Sequence, residues 1–176
     1  MKMALLNMVL FISVLSSSAF AGDVEIGKAT EKNGMRIAAV YIQPVKMEPE
    51  HKVDNKKADI HLEADISALK NNPTGFVEGS WVPYLNVNYT LTKQGSTWKS
   101  NGTLMPMVAS DGPHYGDNVT LDGPGKYKLT FAFEPPSGHI FMRHIDKETG
   151  VAQWWQPFDL EYDFAWIGST GKKGGY

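Results

Sequence analysis

From residue 35 onward the chain alternates apolar and polar residues with a period of two, in short runs. A strand sends successive side chains to opposite faces, so this rhythm predicts β-strands with one buried face. The candidate strands are residues 35–43, 58–66, 84–93, 97–105, 126–133 and 155–166. Turn-forming clusters divide them: Asn71-Asn72-Pro73, Asp111-Gly112-Pro113, Asp122-Gly123-Pro124-Gly125 and Pro135-Pro136-Ser137-Gly138. Helical spacing is almost absent, and residues 66–70 could close only one turn before Pro73. Short strands between turn-rich spacers predict an all-β chain built as an antiparallel β-sandwich, with a closed barrel as the alternative.

The first residues do not share this rhythm. Lys2, an apolar run over residues 4–15 and the small-x-small sequence Ala19-Phe20-Ala21 read as a secretory signal peptide over residues 1–21. The run is shorter than the roughly 20 apolar residues that span a bilayer. Residues 22–176 are then one domain, with a Gly- and Lys-rich tail from about residue 168 expected to be loose. No cysteine is present. That removes disulfides, thiol catalysis, zinc–thiolate and iron–sulfur sites and blue-copper electron transfer, and leaves packing, pairing or assembly to stabilise an exported chain. The formal charge of −2 argues against a nucleic-acid partner.

Three segments hold potential metal ligands. In ADIHLEADI, residues 58–66, the period of two puts Ile60, Leu62, Ala64 and Ile66 on one face and Asp59, His61, Glu63 and Asp65 on the other. His61 and Glu63 are same-face neighbours, roughly 7 Å apart along the strand. They read either as part of a solvated face or as an imidazole and a carboxylate offered to one cation. In TLMPMVASDGPHYGDN, residues 103–118, Pro106 cannot donate to a ladder, so pairing should weaken or end there. Met107 and His114 across the turn suit a soft or borderline metal, while both Met105 and Met107 could equally be core filling. In GHIFMRHIDKETG, residues 138–150, spacing does not choose between His139 and His144. His51 sits in a charged loop and reads as surface.

Other chemistries find no support. There is no Gly-x-Ser-x-Gly elbow, no His-Glu-x-x-His helix and no phosphate-gripping glycine loop. The aromatic run QWWQPF, residues 153–158, reads as strand core before it reads as a binding platform. The sequons at Asn88, Asn101 and Asn118 matter only in a glycosylating secretory pathway.

Five blocks, residues 33–49, 58–79, 81–85, 103–118 and 143–158, together resemble the periplasmic iron-transport protein family, the soluble partners of Ftr-type iron permeases. The run MPMVASDGPHYG is the most specific of them. The resemblance implies an immunoglobulin-like β-sandwich that forms a homodimer. It implies a copper site made by His61, Met107 and His114, completed by His144 from the partner subunit, with Glu63 a further or alternate ligand and a contact for iron. Met105 is then packing. The expected function is a periplasmic metal-binding protein, not an enzyme, that binds copper, takes iron as cargo and works with an inner-membrane iron permease. A copper-assisted redox step on iron is conceivable. A copper chaperone and a structural immunoglobulin-like subunit are the alternatives. For iron docking, polarity alone offers Asp59, Asp65 and Asp117.

Overall fold

The computed structural model describes residues 22–49, 58–136 and 140–168, so the leader, His51, His139 and most of the tail lie outside the described residues. Among the described residues nine strands follow one another: β1 (Val24–Glu25), β2 (Thr30–Lys32), β3 (Met35–Ile42), β4 (Ile60–Ala68), β5 (Asn86–Lys93), β6 (Lys99–Ala109), β7 (Gly112–Val119), β8 (Gly125–Glu134) and β9 (Phe158–Trp166). All pairings are antiparallel, in the order β1-β3-β4-β7-β6-β5-β8-β9, with β2 also on β3. The chain is therefore all-β, with no helix among the described residues.

The alternation works as expected in β8, where Tyr127, Leu129, Phe131 and Phe133 are buried. Each such side chain contributes about 1.5–3 kcal/mol by leaving water. The sheet curls strongly. Tyr41 of β3 and Phe164 of β9, far apart in strand order, have ring centroids 5.7 Å apart. One core cluster draws Ile37, Leu62 and Tyr115 from one half of the sheet and Val87, Phe131 and Tyr162 from the other. The path stays open, since no described ladder joins β9 to β1 or β2. A closed barrel is thereby set aside.

Four details depart from the sequence reading. Residues 66–68, expected to begin a helical turn, complete β4, because Ile66 and Ala68 are core residues paired to β3. Residues 155–157 precede β9, and Trp155 instead packs on Phe158 with ring centroids 4.9 Å apart. Gly112 and Pro113, read as part of a turn, instead open β7, which runs on to Val119. Finally, β6 does not stop at Pro106. Its ladder to β5 ends at Leu104, and from Met105 it pairs with β7. Pro106 thus stands where β6 changes partner, and the N–H it lacks has no β5 carbonyl to serve.

Candidate metal centre

The centre forms on the face of β4 and β7 that points away from the core. Register places His61 opposite Asn118 and Glu63 opposite Gly116. On the far side of β7, Met105 pairs with Gly116 and Met107 with His114. The solvated-face reading of β4 does not hold. His61 is 1% and Glu63 7% exposed, so both faces of this strand are buried from Ile60 to Ala64.

Gly116 makes this possible. A Cβ there would lie 2.6 Å from His61 Nε2 and 3.3 Å from His114 Cδ2, so the glycine leaves open the space into which both rings lean. The rings meet edge-on, with centroids 5.9 Å apart. Glu63 Oε1 lies 3.6 Å from His61 Nε2 and 3.9 Å from His114 Nε2. One ligand atom from each of the three residues falls within 4.8 Å of the others.

Asn118 sets the tautomer of His61. Its Nδ2 donates to the Val45 carbonyl at 2.7 Å, and its Oδ1 accepts the Val45 N–H at 3.2 Å. The backbone therefore fixes which way the amide points. His61 Nδ1, 2.9 Å from the same Oδ1, must carry the proton. This leaves the lone pair on Nε2, aimed into the centre. The Nε2 atoms of both His61 and His114 are buried without a hydrogen-bond partner. Orphaned imidazole nitrogens converging on a carboxylate are the donor set a borderline cation needs.

The electrostatics point the same way. Burial, with a smaller contribution from His114, pushes His61 down to about 4 against the opposing effect of its hydrogen bond to Asn118. Burial, then Asp65, Asp23 and Asp111, pushes Glu63 up to about 8. At neutral pH the close His61–Glu63 approach is thus a contact between an uncharged imidazole and a carboxylic acid, not an ion pair. Asp65 is also raised, first by burial. The metal-free site suppresses charge of both signs, and a cation would restore the carboxylate.

His144 lies apart from this cluster. It is exposed, and its Nδ1 is 2.7 Å from Thr149 Oγ1. The single proton of that hydroxyl goes to Asp146 Oδ2 at 2.7 Å, so His144 Nδ1 is the donor in its contact with Thr149. Met107 is half-buried beside His114. Met105, expected as packing, is 42% exposed, because the core face of β6 ends at Leu104. Among the acidic candidates, Asp59 accepts the Leu121 N–H at 2.7 Å. Asp117 is buried near Tyr89, whose hydroxyl is pushed up to about 12 by burial and then by that carboxylate. Asp65 alone of the three lines a cavity of about 300 Å3 with Glu63, Asp111, Trp81 and His114.

Sequence reasoning missed Gly116, Asn118, Asp111 and Trp81. Gly116 carried a usable signal, a glycine inside an otherwise bulky run, which marks close approach. Asn118 was visible only as a sequon, yet it is fully buried and bonded to both His61 and Val45.

Comparison with known proteins adds an independent line. The model of the Fe2+ transport protein family matches residues 20–168. The UPF0423 protein of Brucella abortus is 55% identical over 166 residues, covering 92% of this chain and 91% of that one. Among solved structures, the copper-reconstituted P19 protein of Campylobacter jejuni is 51% identical, covers 84% of this chain and 98% of its own, and superposes with a TM-score of 0.81. FetP of uropathogenic Escherichia coli strain F11 is 49% identical, with coverage of 85% and 99% and the same TM-score of 0.81.

Proposed function

This chain belongs to the Fe2+ transport protein family, and from that premise we propose that it is a periplasmic protein that binds copper and carries iron for high-affinity uptake through an inner-membrane permease. The observation that carries the reading is the pair of buried, unpartnered imidazole nitrogens converging on Glu63. Copper is the fitting resident metal, because imidazole and thioether together accommodate both of its oxidation states. It would be held by His61, Met107 and His114, with Glu63 as a further or alternate ligand. When bound, it supplies one-electron redox capacity next to a hard carboxylate oxygen suited to iron. The copper-reconstituted relative supports the choice of metal.

The fourth ligand, and third imidazole, is the partner subunit's His144. Its Nε2 is free, and it stands in an exposed apolar stretch, with Ile140 67%, Met142 84% and Ile145 78% exposed. Such a cluster fits a surface covered by a second copy. We further read the curled sheet as an immunoglobulin-like sandwich in a homodimer. Residues 1–21 are the export signal, and 22–176 the metal-binding domain. Among the described residues no helix is long and apolar enough to cross a membrane.

The deciding measurement is the copper content of purified protein, alongside His61→Ala and His114→Ala. The parent should hold copper in a defined stoichiometry and each variant should lose it. Variants that bind as tightly as the parent would refute the centre. For iron, a deletion strain should grow poorly under iron limitation, and copper starvation should not mimic that defect. If copper starvation reproduces it, the protein is a copper chaperone.

A further inference from the structure

Beside the histidine centre lies a second set of donors with different chemistry. A cavity of about 150 Å3 is lined by Met47, Met105 and Met107, with Pro106 and Gly116. Met105 and Met107 share one face of β6, two residues apart. Met47 reaches them because Asn118 grips Val45 by both its N–H and its carbonyl, which fixes the strand exit two residues earlier. The amide that orients His61 therefore also seats Met47. Glu48 and Asp117 contribute to the same lining, which favours a cation over an anion.

We propose that this cleft is a binding site for monovalent copper, distinct from the His61–Glu63–His114 centre and separated from it only by Gly116. Thioether sulfur is soft and uncharged, so three of them favour Cu(I) over harder or more highly charged ions. Ordinary hydrophobic use does not explain the arrangement. Met105 is 42% exposed and Met47 and Met107 are half-buried, whereas Met35, the core methionine, is 1% exposed. Gly116 has no side chain to divide the cleft from the space under His61. Met107, opposite His114 in the register, belongs to both. An ion held by the thioethers thus sits next to the imidazoles, about one inter-strand spacing of roughly 4.8 Å away. The inference rests on the copper reading given above and adds to it a site selective for oxidation state.

The test uses protein labelled with 13C at the methionine methyls and titrated with Ag(I), a redox-inert soft cation. The methyls of Met47, Met105 and Met107 should shift together with the first equivalent. Met35, buried, and Met142, 84% exposed, are internal controls and should not move with them. In parallel, the double variant Met47→Leu, Met105→Leu, which conserves volume, should lose at least tenfold in Cu(I) affinity against a competing chelator. Its Cu(II) affinity should be unchanged. A shift of Met107 alone, a shift of Met142 in step with the others, or unchanged Cu(I) affinity in the double variant would each overturn the cleft. A parent that shifts at all three methyls but binds no Cu(II) would instead sink the histidine centre and leave the cleft standing.

Discussion

Gly116 and His61 compete for one volume: a Cβ on the glycine would lie 2.6 Å from His61 Nε2 and 3.0 Å from Cε1. No left-handed backbone angle demands glycine at this position, so the requirement comes from the imidazole alone. Gly116→Ala should therefore fold, at an overpacking cost of about 1–3 kcal/mol, but push His61 off its line to Glu63. Copper affinity should drop at least tenfold. Chelator competition and thermal melts of the metal-free protein check the two halves. Retained affinity would mean that the ring has room the structure does not give it.

Asn118 offers a complementary test. Asn118→Leu removes the acceptor for His61 Nδ1 and both bonds to Val45. Loss of a partner that orients a ligand typically costs 10–100-fold in metal affinity, and stranded buried polar groups cost about 1–3 kcal/mol each. The variant should be both less stable and a weaker binder. Adding metal should recover less stability than it does in the parent.

Glu63 gives the centre its pH dependence. Its carboxyl is pushed up to about 8, chiefly by burial, so at pH 7 it enters the metal-bound state by losing a proton. His61, pushed down to about 4, is already neutral and releases none. Apparent copper affinity should therefore rise about tenfold per pH unit up to about 8 and level off beyond. Without metal the sign reverses. A raised carboxyl favours the folded state below the ordinary carboxylate range, and that stability is lost as pH rises through about 8. Calorimetry in buffers of different ionisation enthalpy should detect about one proton released per copper at pH 7 in the parent, and none in Glu63→Gln. Equal release from both would remove Glu63 from the ligand set.

His61, Glu63 and His114, which the fold groups together, could be named as candidate ligands because each sits in a short motif, while the choice of Met107 over Met105 came from the family resemblance and not from spacing. What brings the ligands together was not legible in the sequence. β7 is buried on both faces from His114 to Val119, so it has no alternation to read, and Gly112 and Pro113 looked like turn residues. The switch of β6 from one ladder to the other at Pro106 is likewise a tertiary choice. It is what sets Met107 against His114. Asn118 and Met47 gain meaning only through Val45, seventy-three positions from Asn118 along the chain.

Tyr115 ties the centre's strand to the core. Its hydroxyl accepts the Leu85 N–H at 3.0 Å and donates to the Val82 carbonyl at 2.9 Å, in a fully buried setting. Tyr115→Phe keeps the ring against Trp81, 5.2 Å away between centroids, but strands two backbone groups. It should destabilise the protein by about 1–3 kcal/mol and shift Trp81 fluorescence, with copper affinity changed less than threefold. A variant as stable as the parent in denaturant titration would mean that water replaces the hydroxyl at no cost.

The last prediction concerns His144. Thr149 and Asp146 hold its exposed ring through Nδ1, and His144 is not part of the three-residue cluster of its own chain. If a second copy supplies this imidazole to the centre, metal and dimer are linked, because copper then binds the assembled pair more tightly than the single chain. His144→Ala should weaken copper binding and shrink the metal-induced gain in dimer stability, while leaving metal-free dimerisation through the surrounding apolar residues within about twofold. Thr149→Val should produce a milder version of the same effect by freeing the ring. Sedimentation velocity with and without copper reads both quantities. A metal-linked dimer gain that is the same in His144→Ala as in the parent would assign His144 to the surface alone.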